Sequence, residues 1–299
     1  VHRQSLTLIR ASYERRLAPD RPDREAGVVD TYTHGHHDSV LQSHRWRTVD
    51  NSAAYLAPHL RPGQTVLDVG CGPGTITVDL ARRVAPGAVL GIDLSPAPLD
   101  EARALAEAEQ VAVSFAVGDV YALDAPDASF DVVHAHQLLQ HLTDPVAALR
   151  ELARVCRPGG LLAVRDVDYA ATTWFPADEG LDRWLALYEQ VARHNRAEPD
   201  AGRRLLSWAH AAGLRDTVTT TTAWCFATPD ERAWWGRSWA GRATRSAFAE
   251  QAVGYGLATT ADLDQIAAAW LRWADADDGW LALLHGELLV YRAAPDAAS

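Results

Sequence analysis

Residues 66 to 75 read VLDVGCGPGT: three apolar residues and an acid that suit a buried strand, then Gly70, Gly72 and Gly74 spaced two apart. Glycine tolerates positive φ and has no Cβ, so a turn built from it is tight and presents bare backbone to whatever lies against it. The helix expected to begin at Thr75 adds N–H groups without intrahelical partners. A strand, a glycine turn and a helix in that order form a resting place for a nucleoside-bearing ligand.

On either side of this turn the sequence alternates between strand and helix patterns. TVLDVG, AVLGIDL, VSFAVGD, FDVVHAH and GGLLAVRDVD read as strands, and TITVDLARRV, PAPLDEARALAEAE and DPVAALRELARVC as helices between them. Strands separated by helices pair in parallel through right-handed crossovers, which predicts a doubly wound α/β sheet. Two further strands, DTVTTTTAWCFA and ELLVYRA, are expected to complete a mostly parallel sheet of seven as a hairpin. The expected organisation is an N-terminal arm and helical lid (1–60), a core (61–228), a helical cap inserted between the last two strands (229–285), and the last strand with a tail (286–299). Within the arm, Val40, Leu41, His44, Val49, Ala53, Leu56 and Leu60 fall near helical spacing.

The formal net charge of −11 disfavours a protein that grips nucleic-acid phosphates or an anionic membrane, because those affinities rest on clustered basic residues. A small-molecule partner is expected; oligomeric state is not readable. All 28 basic residues are Arg, which reflects codon usage and not function. Cys71, Cys156 and Cys225 are odd in number and lack metal-ligand spacing, so they read as reduced thiols. With no long apolar N-terminal run and no apolar stretch of membrane-spanning length, a cytoplasmic protein is expected.

A glycine turn alone also suits a dinucleotide, but the spacing here is G-x-G-x-G, Asp68 stands two residues before the first glycine, and Gly118-Asp119 ends the third strand. With the runs VLDVGCGPG, GIDLS, GDVYALDAPDASFDVVHAHQLLQHLTDP and LRELARVCRPGG, the chain resembles the class I S-adenosylmethionine-dependent methyltransferases. The similarity extends to the small-molecule group that includes the ubiquinone and menaquinone C-methyltransferases, and covers about residues 60 to 168. It implies a Rossmann-like fold, S-adenosyl-L-methionine as cofactor, and methyl transfer to O, C or N of a small organic acceptor.

By that resemblance Asp93 would accept from both ribose hydroxyls, as suits an acceptor-only carboxylate, with Ser95 beside it. Leu94 would pack on the adenine, Asp119 would accept from its amine, and Val120 would donate a backbone N–H. Gly70, Cys71, Gly72 and Gly74 would form the cofactor loop, and His136 and Gln137 would stand beside the sulfonium. Tyr32 and Gly35 would reach the cofactor from a lid. His34, His36 and His37, around Gly35, could instead be solvated or ligate a metal, although no metal is expected. Asp93 and Asp119 could be no more than strand-end or capping carboxylates, and Asp68 could orient the loop without touching cofactor.

A sulfonium methyl is already electrophilic, so alignment and exclusion of water are the main demands. A base matters only if the nucleophile must lose a proton; His136, His141, Asp166 and Asp168 are the candidates at the carboxyl edge of the sheet. Tyr169 could shape the same mouth. Ten of the eleven tryptophans lie beyond residue 170. Pairs at helical spacing, such as Trp235 with Trp239, would glue the cap to itself, while Trp174, Trp224, Trp234 and His285 are candidates for contact with an apolar or aromatic acceptor. Rival readings are a protein that binds the sulfonium without transferring its methyl, as an isomerase or sensor, and an NAD(P)-dependent oxidoreductase.

Overall fold

The computed structural model describes residue 30, residue 33 and residues 43–293. Tyr32, Gly35 and the histidines at 34, 36 and 37 therefore lie outside the described residues.

The sheet is doubly wound. Its central strands β1 (Thr65–Val69), β2 (Ala88–Asp93), β3 (Ser114–Val117), β4 (Phe130–His136) and β5 (Cys156–Val167) run parallel in the order β3-β2-β1-β4-β5. Strand order reverses beside β1, and in such sheets ligands bind at the carboxyl ends where it does. Helices α2 (Thr75–Val84), α3 (Pro96–Ala108) and α4 (Pro145–Val155) connect these strands. Pro96 and Pro145 each stand at a helix start, where a missing N–H costs nothing, and Asp144 caps α4 by accepting from Ala147 N at 2.8 Å. β8 (Trp280–Tyr291) lies antiparallel between β5 and β7 (Thr217–Phe226).

Two boundaries differ from expectation. An eighth strand, β6 (Thr173–Phe175), pairs with the start of β8; three residues are too few to show a period. β8 also begins at Trp280 and not at 286, because WLALLH is nearly continuous in apolar character and alternation cannot mark where it starts. Before β1, where one or two helices are expected, stand α1 (Val49–Ser52), begun by a Thr48–Asn51 capping box, and a 3-10 turn at Ala57–His59 containing Pro58.

One face of the sheet packs Leu67, Val69, Ile92, Val133, Leu162 and Leu288 against α4 and α6 (Ala201–Ala211). The other face carries Val66, Val132 and Ala163 under α1 and α2. A third core belongs to the helices: α5 (Glu179–His194) packs with α7 (Pro229–Arg245), α8 (Ala247–Gly254) and α9 (Thr260–Asp275), the last three inserted between β7 and β8. At its centre the Trp184 ring meets Trp239 edge-on at 4.6 Å and Trp270 at 4.7 Å. Offset and edge-on aromatic packing of this kind joins the helices to one another, while Val167, Trp224, Phe226, Leu281 and Leu283 carry the cluster onto the sheet.

Candidate active site

A cavity of about 340 Å³ opens at the carboxyl ends of β1, β2 and β4, between the sheet, residues 43–47 and the cap. Its first wall is the glycine turn. The N–H groups of Gly70 and Cys71 donate to Ile92 O at 2.8 and 2.9 Å, and Gly72 N donates to the Asp93 carboxylate at 3.0 Å. The turn is thus stitched to the end of β2. Gly72, at φ +54°, faces open space: a Cβ there would meet nothing nearer than His44 Nδ1 at 3.8 Å. Gly74 differs. At φ +79° its missing Cβ would stand 2.7 Å from Ala102, so this glycine lets α2 approach α3 and does not line the cavity. The expectation of a cofactor contact at Gly74 is corrected accordingly.

Asp68 braces the strand that leads into the turn. Thr77 Oγ1 donates to one of its oxygens at 2.6 Å and His134 Nδ1 to the other at 2.7 Å, so this buried carboxylate ties β1 to both α2 and β4.

Along the rim, Asp93, Leu94, Ser95, Asp119 and Val120 all line the cavity. Asp93 accepts from Ser95 N as well as Gly72 N, and a carboxylate can only accept. Leu94 is 60% exposed, an apolar side chain held open to whatever enters. Asp119 accepts from Tyr121 N at 3.0 Å and closes a turn, not a helix. The Cys71 thiol is pushed well above its ordinary pKa by burial and by nearby Asp68 and Asp93, which makes it a neutral wall group and no nucleophile.

The end of β4 supplies the polar centre. His136 is 6% exposed, lines the cavity, and has a hydrogen-bond partner on neither ring nitrogen. Burial, followed by the positive charges of Arg47 and Arg165, holds its pKa well below the usual histidine value, so the imidazole is neutral. Gln137 has φ +51°, uncommon for a residue with a side chain. Its backbone N–H reaches Arg165 O at 2.7 Å, and its side chain bridges Arg47, which donates to Oε1 at 2.7 Å, and His285 Nε2 at 2.8 Å. His141 also lines the cavity, and burial together with Arg47 pushes its pKa down to about 3.

The two proposed carboxylate bases lie elsewhere. Asp166 is 1% exposed, off the cavity, and accepts from the backbone of Leu139 and Gln140; burial raises its pKa to about 7. It holds the loop after β4. Asp168 is locked to Arg203 by two hydrogen bonds of 2.6 Å, which commits both its oxygens. Neither can reach a ligand in the cavity. Of the four acceptor-side candidates only Trp224 lines it. Trp174 and Trp234 pack on the cap core because their strand and helix positions turn them toward it, and His285 is fully buried behind Gln137.

Several wall residues carry no motif that spacing could reveal: Ser43, His44 and Arg47 before the sheet, and Trp235 and Arg242 on α7. Thr75 Oγ1 donates to His44 O at 3.0 Å, and Trp224 Nε1 to Asn51 O at 2.7 Å, which fastens the leading segment over the site. Tyr169 and Leu283 complete this side.

Residues 66–160 match a family model described as a methyltransferase domain. The chain is 33% identical over 271 residues to an uncharacterised methyltransferase of Schizosaccharomyces pombe, covering 87% of this chain and 96% of that one. It is 36% identical over 197 residues to 2-methyl-6-phytyl-1,4-hydroquinone methyltransferase of Synechocystis, 61% of this chain and 55% of that one. Among solved structures, phosphoethanolamine N-methyltransferase 2 of Haemonchus contortus, in complex with S-adenosyl-L-methionine, is 19% identical with a TM-score of 0.52 over 82% of this chain and 52% of that one. At that identity the likeness is one of fold, the Rossmann-like sheet described above.

Proposed function

This chain belongs to the methyltransferase family, with the fold and motifs of its S-adenosyl-L-methionine-dependent members, and we propose that its acceptor is a small molecule with a flat apolar body and a reacting hydroxyl. One observation carries this reading. A neutral, unpartnered His136 stands on the wall of the same cavity whose rim bears Asp93, the open Leu94 and Asp119.

The residues present fit the cofactor. Asp93 sets an acceptor-only carboxylate on the cavity rim, where a ribose diol would donate to it, Leu94 offers an uncovered apolar surface for adenine, and the missing Cβ of Gly72 leaves room along the turn. Bound there, S-adenosyl-L-methionine supplies a methyl group on a sulfonium, whose C–S electron pair stays with sulfur as the methyl leaves.

The protein's part is placement and proton handling. Trp224, Trp235, Tyr169 and Leu283 form a wall suited to a planar ring, and the quinol named for the Synechocystis relative is an acceptor of that kind. His136, with one bare ring nitrogen in its neutral form, accepts the hydroxyl proton as oxygen takes the methyl. Residues of the cap and of the segment before the sheet line the cavity, and an acceptor bound among them displaces water that would compete. Among the described residues no helix is long and apolar enough to cross a membrane.

Calorimetry with S-adenosyl-L-methionine, followed by a screen of phenols and hydroquinones for release of S-adenosylhomocysteine, tests the proposal. Binding lost in Asp93→Ala and an O-methylated phenolic product support it. No binding by the folded chain, or product methylated only at carbon or nitrogen, overturns it.

A further inference from the structure

Trp224 lines the cavity, and a buried ion pair that does not line it stands against the indole ring. Arg165 on β5 lies in register with Glu287 on β8, which lies opposite Thr220 on β7. Side chains alternate between the two faces of a strand, so Thr220, Thr222 and Trp224 share one side of β7. Arg165 Nε lies 3.3 Å from Glu287 Oε1, and Nε and Nη2 donate to Thr222 Oγ1 at 3.3 and 3.1 Å. The Thr222 and Thr220 hydroxyls donate to the two Glu287 oxygens at 2.5 and 2.6 Å. The guanidinium is gripped along one edge. Its carbon lies 5.1 Å from the Trp224 ring centre, and its third nitrogen, Nη1, is buried with no hydrogen-bond partner among the described residues. Other contacts on this ring come from the segment before the sheet: Asn51 O at 2.7 Å, Trp46 edge-on at 5.2 Å, and Arg47 at 5.5 Å. Within the sheet the ring meets neutral His285 and His136 at 4.3 and 5.8 Å, so Arg165 is the charged member of that set.

Resting on the methyltransferase reading, we propose that Arg165 is a positioning residue for the acceptor: paired with Glu287, it holds the Trp224 indole in the plane on which a flat ring stacks. Arg165 does not itself line the cavity, so it acts through Trp224. Stability alone is a poor account of the pair. Arg165 is 1% and Glu287 3% exposed, and taking two charges out of water costs about as much as their attraction returns, so uncharged replacements in such places are commonly no less stable. What an uncharged side chain cannot supply is the attraction of a cation for an aromatic face, which is stronger in a desolvated site than at the surface. Burial lowers the Arg165 pKa to about 10, opposed by Glu287, so the group stays charged at neutral pH. Its planar shape and its grip on β7 and β8 leave little freedom to lose when an acceptor binds.

The test compares the full wild-type chain with the double variant Arg165→Met, Glu287→Gln, which leaves no buried charge unpaired. Its unfolding midpoint in denaturant should equal or exceed that of the wild type, and its affinity for S-adenosylhomocysteine should stay within about twofold. Affinity of the S-adenosylhomocysteine-saturated chain for 1-naphthol, a flat phenolic probe, should fall about fivefold or more. In a Trp224→Ala background the same two changes should alter 1-naphthol affinity by less than about twofold, because no ring remains to be held. Without any acceptor, the Trp224 indole N–H, identified as the resonance missing from Trp224→Phe, should exchange with solvent about tenfold or more faster in the double variant. The Trp273 N–H, bonded to Phe175 O, should keep its wild-type rate. Arg165→Lys, which keeps the charge without the planar group, should fall between, and it decides if the double variant fails to fold. The inference is overturned if Trp224 exchange is unaltered, if Trp273 exchange quickens equally, if 1-naphthol binding weakens as much without Trp224, or if the wild type binds S-adenosylhomocysteine but not 1-naphthol. Failure to bind S-adenosylhomocysteine at all would instead remove the methyltransferase reading.

Discussion

Gln137 donates from its side-chain amide to Nε2 of His285 across 2.8 Å, while Nδ1 of the same ring lies 2.9 Å from Leu283 O. A carbonyl can only accept, so Nδ1 carries the proton and Nε2 is the acceptor. His285 is therefore neutral, in keeping with a pKa driven well below the usual value by burial and then by Arg165. It fixes Gln137, and Gln137 fixes Arg47.

Replacing His285 by Phe leaves a buried amide N–H unpaired, at a cost of about 1–3 kcal/mol in unfolding free energy. Gln137, which lines the cavity, loses the partner that fixes its side chain, so kcat/KM should fall. Denaturant titration and steady-state kinetics check the two parts.

Asp93→Ala removes the acceptor for a cofactor diol and also frees Gly72 N–H from its tie to β2. Charge-assisted hydrogen bonds contribute about 1.5–3 kcal/mol each, so the affinity for S-adenosyl-L-methionine should fall at least tenfold. Calorimetry measures it.

His136→Phe keeps the bulk and loses the proton acceptor; turnover should drop about a hundredfold or more with cofactor affinity unchanged. Because its pKa lies well below the ordinary range, the wild-type imidazole stays neutral as pH falls through that range. Wild-type kcat/KM should therefore show no loss with a midpoint near pH 6.5, the value of an unperturbed histidine.

Asp166 tests linkage. Its folded pKa of about 7 lies above that of the unfolded chain, so below the unfolded value the carboxyl is protonated in both states and costs nothing. From about pH 4 to 7 the unfolded state releases its proton and the folded state retains it, and stability falls as pH rises. Relative to Asp166→Asn, which cannot titrate, the wild type should lose up to about 4 kcal/mol across that window, with no further divergence above it. Unfolding curves at pH 4, 6 and 8 give the comparison.

Gly74→Ala combines positive φ with a 2.7 Å approach to Ala102, and should lower stability by about 1–3 kcal/mol with little change in cofactor affinity. A thermal melt beside a binding titration distinguishes this from a site defect.

Local pattern determined the sheet. Glycines at 70 and 72, acids at strand ends 93 and 119, and strand–helix alternation are all short-range signals, and those glycines and acids line one cavity at the carboxyl edge of the sheet. A strand end delivers its side chains to the sheet's edge whatever lies elsewhere, so position along the chain was enough. The same logic failed for Asp166 and Asp168, which also follow a strand: both are consumed by partners, the Leu139–Gln140 backbone and Arg203, that no local spacing announces.

Only the tertiary structure decided which tryptophans face the cavity, that Arg47 and Arg242, 195 residues apart in the chain, both line it, and that neither ring nitrogen of His136 has a hydrogen-bond partner while both of His285 do. Helical period says which side chains share a face but not what that face turns toward. The rotation of α7 is set by packing Trp239 against Trp184 of α5 and Trp270 of α9, and that packing, not the residue types themselves, carries Arg242 into the site.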